Sequence, residues 1–178
     1  MEKHIKLPIS KEDLEGLRAG DFCYLSGELY TARDAAHKRM IETLDDGGVL
    51  PMDIKGQAIY YLGPTPARPG RVIGSAGPTT ASRMDKYSPR LLDLGLSLMI
   101  GKGRRSDAVK DAMERNGAVY MACIGGAGAR LSKSIVSSEV IAYDDLGTEA
   151  IRKLRVENFP TIVVMDAVGG NLYERADK

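Results

Sequence analysis

Three cations in this chain stand where a strand or a helix is expected to begin or end: Arg33 beside Thr31, Arg83 beside Thr79 and Thr80, and Lys102 between two glycines. Such a set suits a small dicarboxylate. Arginine grips a carboxylate through two parallel hydrogen bonds, lysine supplies a point charge, and threonine hydroxyls add neutral donors. Removing water from a hydroxy-dicarboxylate also needs a group that pulls on the hydroxyl, usually a Lewis-acidic metal. The chain shows no local ligand set for one. His4 and His37 are distant from each other, there is no His-Glu-x-x-His, and the two cysteines, Cys23 and Cys123, do not form a Cys-x-x-Cys.

The elements that must hold these residues are organised around the stretch Gly74-Ser-Ala-Gly-Pro-Thr-Thr-Ala-Ser-Arg-Met-Asp85. It has the order of a strand end, a glycine-rich turn and a helix start. Gly74 and Gly77 allow backbone angles closed to other residues, Pro78 suits a helix entry, and Thr79 or Thr80 can cap. A helix beginning there would aim its unpaired first amides at an anion and place Arg83 on the same face as the threonine. Taken alone, the stretch fits an ordinary capped helix with a solvent-facing arginine better than it fits an anion site.

Around it the chain alternates strand and helix patterns. Residues 1–20 read as an arm with a short helix capped by Ser10, 21–26 as a strand turned at Gly27-Glu28, and Thr31 as the cap of a helix running to Leu44. A strand follows at 58–62, then a proline-rich surface loop at 63–70, the central stretch with a helix to Leu94, and an apolar strand at 96–100. A helix with Ser106 as cap and Asn116-Gly117 as stop leads to a strand at 119–124 and the glycine-rich stretch 125–128. Next come a strand at 136–143, a short helix at 146–154, a buried strand at 161–165 and a hairpin turn at 169–171. The pattern predicts a single α/β domain over 1–178 with a mainly parallel central sheet and a smaller antiparallel one. In such sheets ligands gather beyond the carboxyl ends of the strands, where the glycine-rich loops at 74–77, 101–103 and 125–128 fall.

Composition narrows the partners. Lys plus Arg number 25 against 24 Asp plus Glu, for a formal charge of +1, and no basic tract marks a nucleic-acid track. There is no long apolar run for a membrane span and no signal-peptide core at the N-terminus, so a cytosolic (cytoplasmic) protein is expected. Two nucleotide motifs fail. The spacing from Gly95 to Gly101-Lys102 is wrong for a P-loop, with Gly103 where Ser or Thr is required, and Gly125-Gly-Ala-Gly128 is not Gly-x-Gly-x-x-Gly.

The runs Thr31-Ala-Arg-Asp-Ala-Ala-His-Lys-Arg39, Tyr61-Leu-Gly-Pro-Thr-Pro66, Gly74 through Asp85, Met99-Ile-Gly-Lys-Gly103 and Phe159-Pro160 together resemble the beta subunit of iron-sulfur class I fumarate hydratase and L-tartrate dehydratase. The likeness extends from about Ile5 to Tyr173, and its Gly-Pro-Thr-Thr-x-x-Arg-Met-Asp motif is specific. The resemblance implies a swivelling β/β/α domain that closes over a [4Fe-4S] cluster carried by a partner alpha subunit and not ligated by this chain. It also implies that Arg33, Thr80, Arg83 and Lys102 contact the substrate and that Thr79 takes part in moving a proton. An unassisted threonine is a poor base, so a carboxylate from the partner is an alternative for that role. Hydration of fumarate to L-malate is the first expectation and L-tartrate dehydration the second. A module that binds a dicarboxylate or phosphate without catalysis is an alternative of another class.

Overall fold

A computed structural model describes residues 2–124 and 131–176. The strands are β1 (Glu2–Lys6), β2 (Phe22–Thr31), β3 (Ala58–Tyr60), β4 (Leu98–Gly101), β5 (Val119–Cys123), β6 (Ile135–Ala142) and β7 (Ile151–Met165). They form one mixed sheet in the order β1-β2-β3-β4-β5-β7-β6, and β2 also pairs with β7. The architecture is therefore α/β, as expected, but a single sheet replaces the expected parallel sheet with a separate antiparallel one.

The extra pairing closes a ring. β2, β3, β4 and β5 run parallel, and β7 returns antiparallel to both β5 and β2. Both faces of the ring strands are covered, which is why they read as unbroken apolar runs rather than alternating ones. Ala58, Tyr60, Leu98, Ile100, Val119 and Met121 turn to one core with Leu25, Leu29 and Phe159. Their neighbours Ile59, Tyr61, Met99 and Tyr120 turn to a second core with Met40, Leu91 and Met113. The latter three come from α2 (Asp34–Asp45), α3 (Ser88–Asp93) and α4 (Asp107–Asn116). Two further helices, α1 (Lys11–Gly16) and α5 (Leu172–Ala176), lie outside the ring strands in sequence.

Some local signals act as expected. Ser10 Oγ accepts from Asp13 N, Ser106 Oγ accepts from Val109 N, and Gly117 ends α4 in the left-handed region. Others are overruled by pairing. The N-terminal arm opens with β1, paired parallel to β2. At Gly27 the strand does not turn: it passes through a bulge and continues to Thr31 against β7. The expected helix at 146–154 is a 3-10 helix, Asp144–Glu149, followed by the first residues of β7. The turn at 169–171 is present as a bridge between Met165 and Asn171, after which the chain becomes helical. Among the described residues, no helix is long and apolar enough to cross a membrane.

Candidate active site

The five residues singled out from the sequence lie beyond the carboxyl ends of β2, β3 and β4. Arg33 follows β2 by two residues and stands at the N-cap position of α2. Thr31 does not cap that helix. It is the buried last residue of β2, where its Oγ1 accepts from Arg152 N at 3.2 Å. The helix start is met instead by Glu149, whose Oε1 accepts from Ala35 N at 3.3 Å.

Thr79 and Thr80 are placed by backbone pairing. Thr79 N donates to Tyr61 O (2.7 Å), just past β3, and Thr80 forms a parallel bridge with Lys102, just past β4. Ala81 N then donates to Lys102 O at 2.7 Å. These bonds correct the expectation of a helix whose first amides face an anion. The chain makes only a 3-10 turn, Ala81–Met84, breaks, and resumes as α3, while Thr80 forms no side-chain cap bond. The Thr79 and Ala81 amides are thus paired to carbonyls rather than left to face an anion. Gly74 serves close approach rather than unusual angles: a Cβ there would lie 2.1 Å from Thr65 O.

Arg33 and Arg83 converge on one carboxylate. Arg83 Nε lies 3.0 Å from Asp34 Oδ2, and Arg33 Nε lies 3.8 Å from Asp34 Oδ1 and 4.0 Å from Glu149 Oε1. The Arg33 side chain is 24% exposed and that of Arg83 55%. Arg33 Nε and Asp34 Oδ1 are buried atoms with no hydrogen-bond partner among the described residues. Arg33 also depends on Gly63, where a Cβ would come within 2.8 Å of Arg33 Cδ and 3.2 Å of Thr148 O. Lys102 and Thr80 are exposed and Thr79 is half-buried. Two arginines, one lysine and two threonines thus stand beyond the carboxyl ends of neighbouring strands, with Asp34 as the counter-charge of the arginines. Asp34 and Glu149 are the site residues that sequence reading missed. Asp34 was visible beside Arg33, but Glu149 arrives from a distant segment. The stretch 125–128 lies outside the described residues. A cavity of about 340 Å³ is lined by Thr65, Arg68, Arg71, Ser75 and Lys133 among others, and by none of the five residues singled out from the sequence.

His37 stands behind the site, wholly buried against Tyr61 and Tyr87. Its Nδ1 lies 2.8 Å from Arg33 O. A carbonyl only accepts, so Nδ1 carries the proton. Burial pushes the imidazole pKa down to about 4. Between the usual value and that one, the unfolded chain takes up a proton that the folded chain refuses. Stability should therefore fall as pH drops from about 6.5 to about 4, by up to ~1.4 kcal/mol per pH unit. Melting curves of the wild type and His37→Gln across that range check this, and the slope due to His37 should vanish in the variant.

Cys23 is buried and Cys123 half-buried, burial pushes both thiols up to about 11, and no group of three or more potential ligands is gathered among the described residues.

A family profile described as Fumarase C-terminus matches residues 1–176. The chain belongs to that family. Among fumarase relatives, it is 42% identical over 153 residues to Escherichia coli K12 fumarate hydratase class I, aerobic, covering 85% of this chain and 28% of that one. It is 40% identical over 175 residues to Leishmania major fumarate hydratase 2, covering 96% and 31%. A Methanocaldococcus jannaschii protein provisionally named L(+)-tartrate dehydratase subunit beta is 38% identical over 176 residues, covering 96% and 90%. The chain thus spans under a third of the length of those two fumarate hydratases and most of that of the beta subunit.

Proposed function

We propose that this chain is one half of a hydro-lyase active site, hydrating fumarate to L-malate when joined to a cluster-bearing alpha subunit. The observation that carries this reading is the convergence of Arg33 and Arg83 on Asp34 beside the paired Thr80 and Lys102, in a member of the fumarase C-terminus family. In the reading, Arg33, Arg83 and Lys102 take the two substrate carboxylates, Thr80 adds a hydroxyl contact, and Thr79 holds or moves the proton on the carbon next to the one bearing the hydroxyl. The substrate competes with Asp34 for the arginines. A [4Fe-4S] cluster on the partner would supply the Lewis acidity that the hydroxyl requires, and a swivelling closure of this domain would bring the two halves together.

L-tartrate dehydration is the second reading, favoured by the relative that this chain matches over 90% of its length. L-malate and L-tartrate differ by one hydroxyl. A substrate panel of fumarate, L-malate and L-tartrate on the copurified pair separates them. Fumarate turnover supports the first reading, tartrate turnover without fumarate turnover supports the second, and turnover of neither rejects both.

A further inference from the structure

We propose that Arg105 is the positioning residue of this site, a buried cation that locks the turn carrying Arg83 against the loop carrying Lys102. Its side chain is 0% exposed. Arg105 Nε donates to Asp85 Oδ1 at 2.7 Å, and one terminal nitrogen donates to Tyr61 Oη (3.0 Å) and Ser88 Oγ (3.1 Å). The other terminal nitrogen faces Met99 Sδ at 3.4 Å, and the guanidinium lies 5.2 Å and 4.8 Å from the Tyr61 and Tyr120 ring centres. Each polar partner is itself engaged. Asp85 Oδ2 accepts from Ser106 N at 2.7 Å, Ser88 Oγ donates to Met84 O at 3.0 Å, and Tyr61 Oη hydrogen-bonds Ser88 Oγ at 3.1 Å, while the ring partner Tyr120 donates its Oη to Gly103 O at 2.9 Å.

Desolvating a charge is costly, pairing offsets that cost at best, and apolar packing often stabilises a core as well. A buried cation with this many directed bonds is better suited to fixing a geometry than to adding stability. The geometry it fixes is specific. The segment 80–85 is tied to the segment 102–106 at both ends: at one by the Ala81 N to Lys102 O bond, at the other by Asp85 with Arg105 and Ser106. Arg83 lies between the two ties, and Lys102 begins the second segment. Their separation is thus held from below by Arg105, which touches no substrate. A displacement of about 1 Å in such groups can cost on the order of 10²-fold in rate.

This inference rests on the hydro-lyase reading and is tested beside it. In the copurified pair, Arg105→Lys keeps the charge but not the planar fork, and Asp85→Asn is a milder second variant that keeps the shape. Both should lower kcat/KM for fumarate by roughly 10-fold to 10²-fold, and Arg105→Lys combined with Arg83→Ala should lose little beyond Arg83→Ala alone. A role in stability alone predicts lowered melting temperatures with unchanged kcat and KM below them, and additive losses in the double variant. That result overturns the proposal. If the wild-type pair turns over neither fumarate nor tartrate, the hydro-lyase reading fails, and positioning is decided on backbone amide NMR shifts of this chain. Arg105→Lys must then move the amides of Ala81, Arg83, Lys102 and Gly103, and unmoved amides overturn it.

Discussion

Arg83→Ala, in the chain assembled with its cluster-bearing partner, is expected to lower kcat/KM for fumarate by about 10² or more. A hydrogen bond to a charged group contributes about 1.5–3 kcal/mol, and truncating one member of a desolvated charge pair costs about 2–5 kcal/mol. The loss has a second source in Asp34. With Arg83 removed, that carboxylate turns wholly to Arg33, already 3.8 Å away, and competes with the substrate for it. Stability should barely change, because a half-exposed pair such as Arg83–Asp34 contributes only about 0–1 kcal/mol. Steady-state kinetics beside a melting curve check both halves of the expectation. Near-normal turnover would remove Arg83 from the site.

Thr79→Val should act on a different constant. Valine keeps the β-branched shape and its restricted rotamers while deleting the hydroxyl. The backbone is fixed by the Thr79 N to Tyr61 O bond, which the substitution leaves in place. If the hydroxyl moves the proton, kcat should fall by about 10²–10⁴ with KM little altered. A raised KM with unchanged kcat would make Thr79 a binding group and pass the proton step to a partner carboxylate.

Much of the fold was legible because local and tertiary preferences agree. Around α4 the Ser106 cap, the acidic first turn, the basic last turn and the left-handed Gly117 all mark the same helix. β7 was not legible. Its first half has the apolar spacing of a short helix and its second half follows Pro160, a residue rarely found inside a sheet. Pairing explains both. Residues 151–156 lie between β2 and β6, residues 161–165 pair with β5, and Pro160 falls where that edge changes partner. Long-range contacts of this kind leave no local mark, and they also deliver Glu149 to Arg33 and Asp85 to Arg105. The placement of these cations and threonines at strand ends was readable from type and position. The expected helix dipole beneath them was not there, because carbonyls of Tyr61 and Lys102 take the amides.

The central claim is that this chain supplies half of a shared active site. Fumarate hydration under anaerobic conditions, measured for the chain alone and for the chain copurified with its iron-replete partner, tests it most directly. Turnover in the pair and none in the chain alone is the predicted result. Turnover by the chain alone would contradict it.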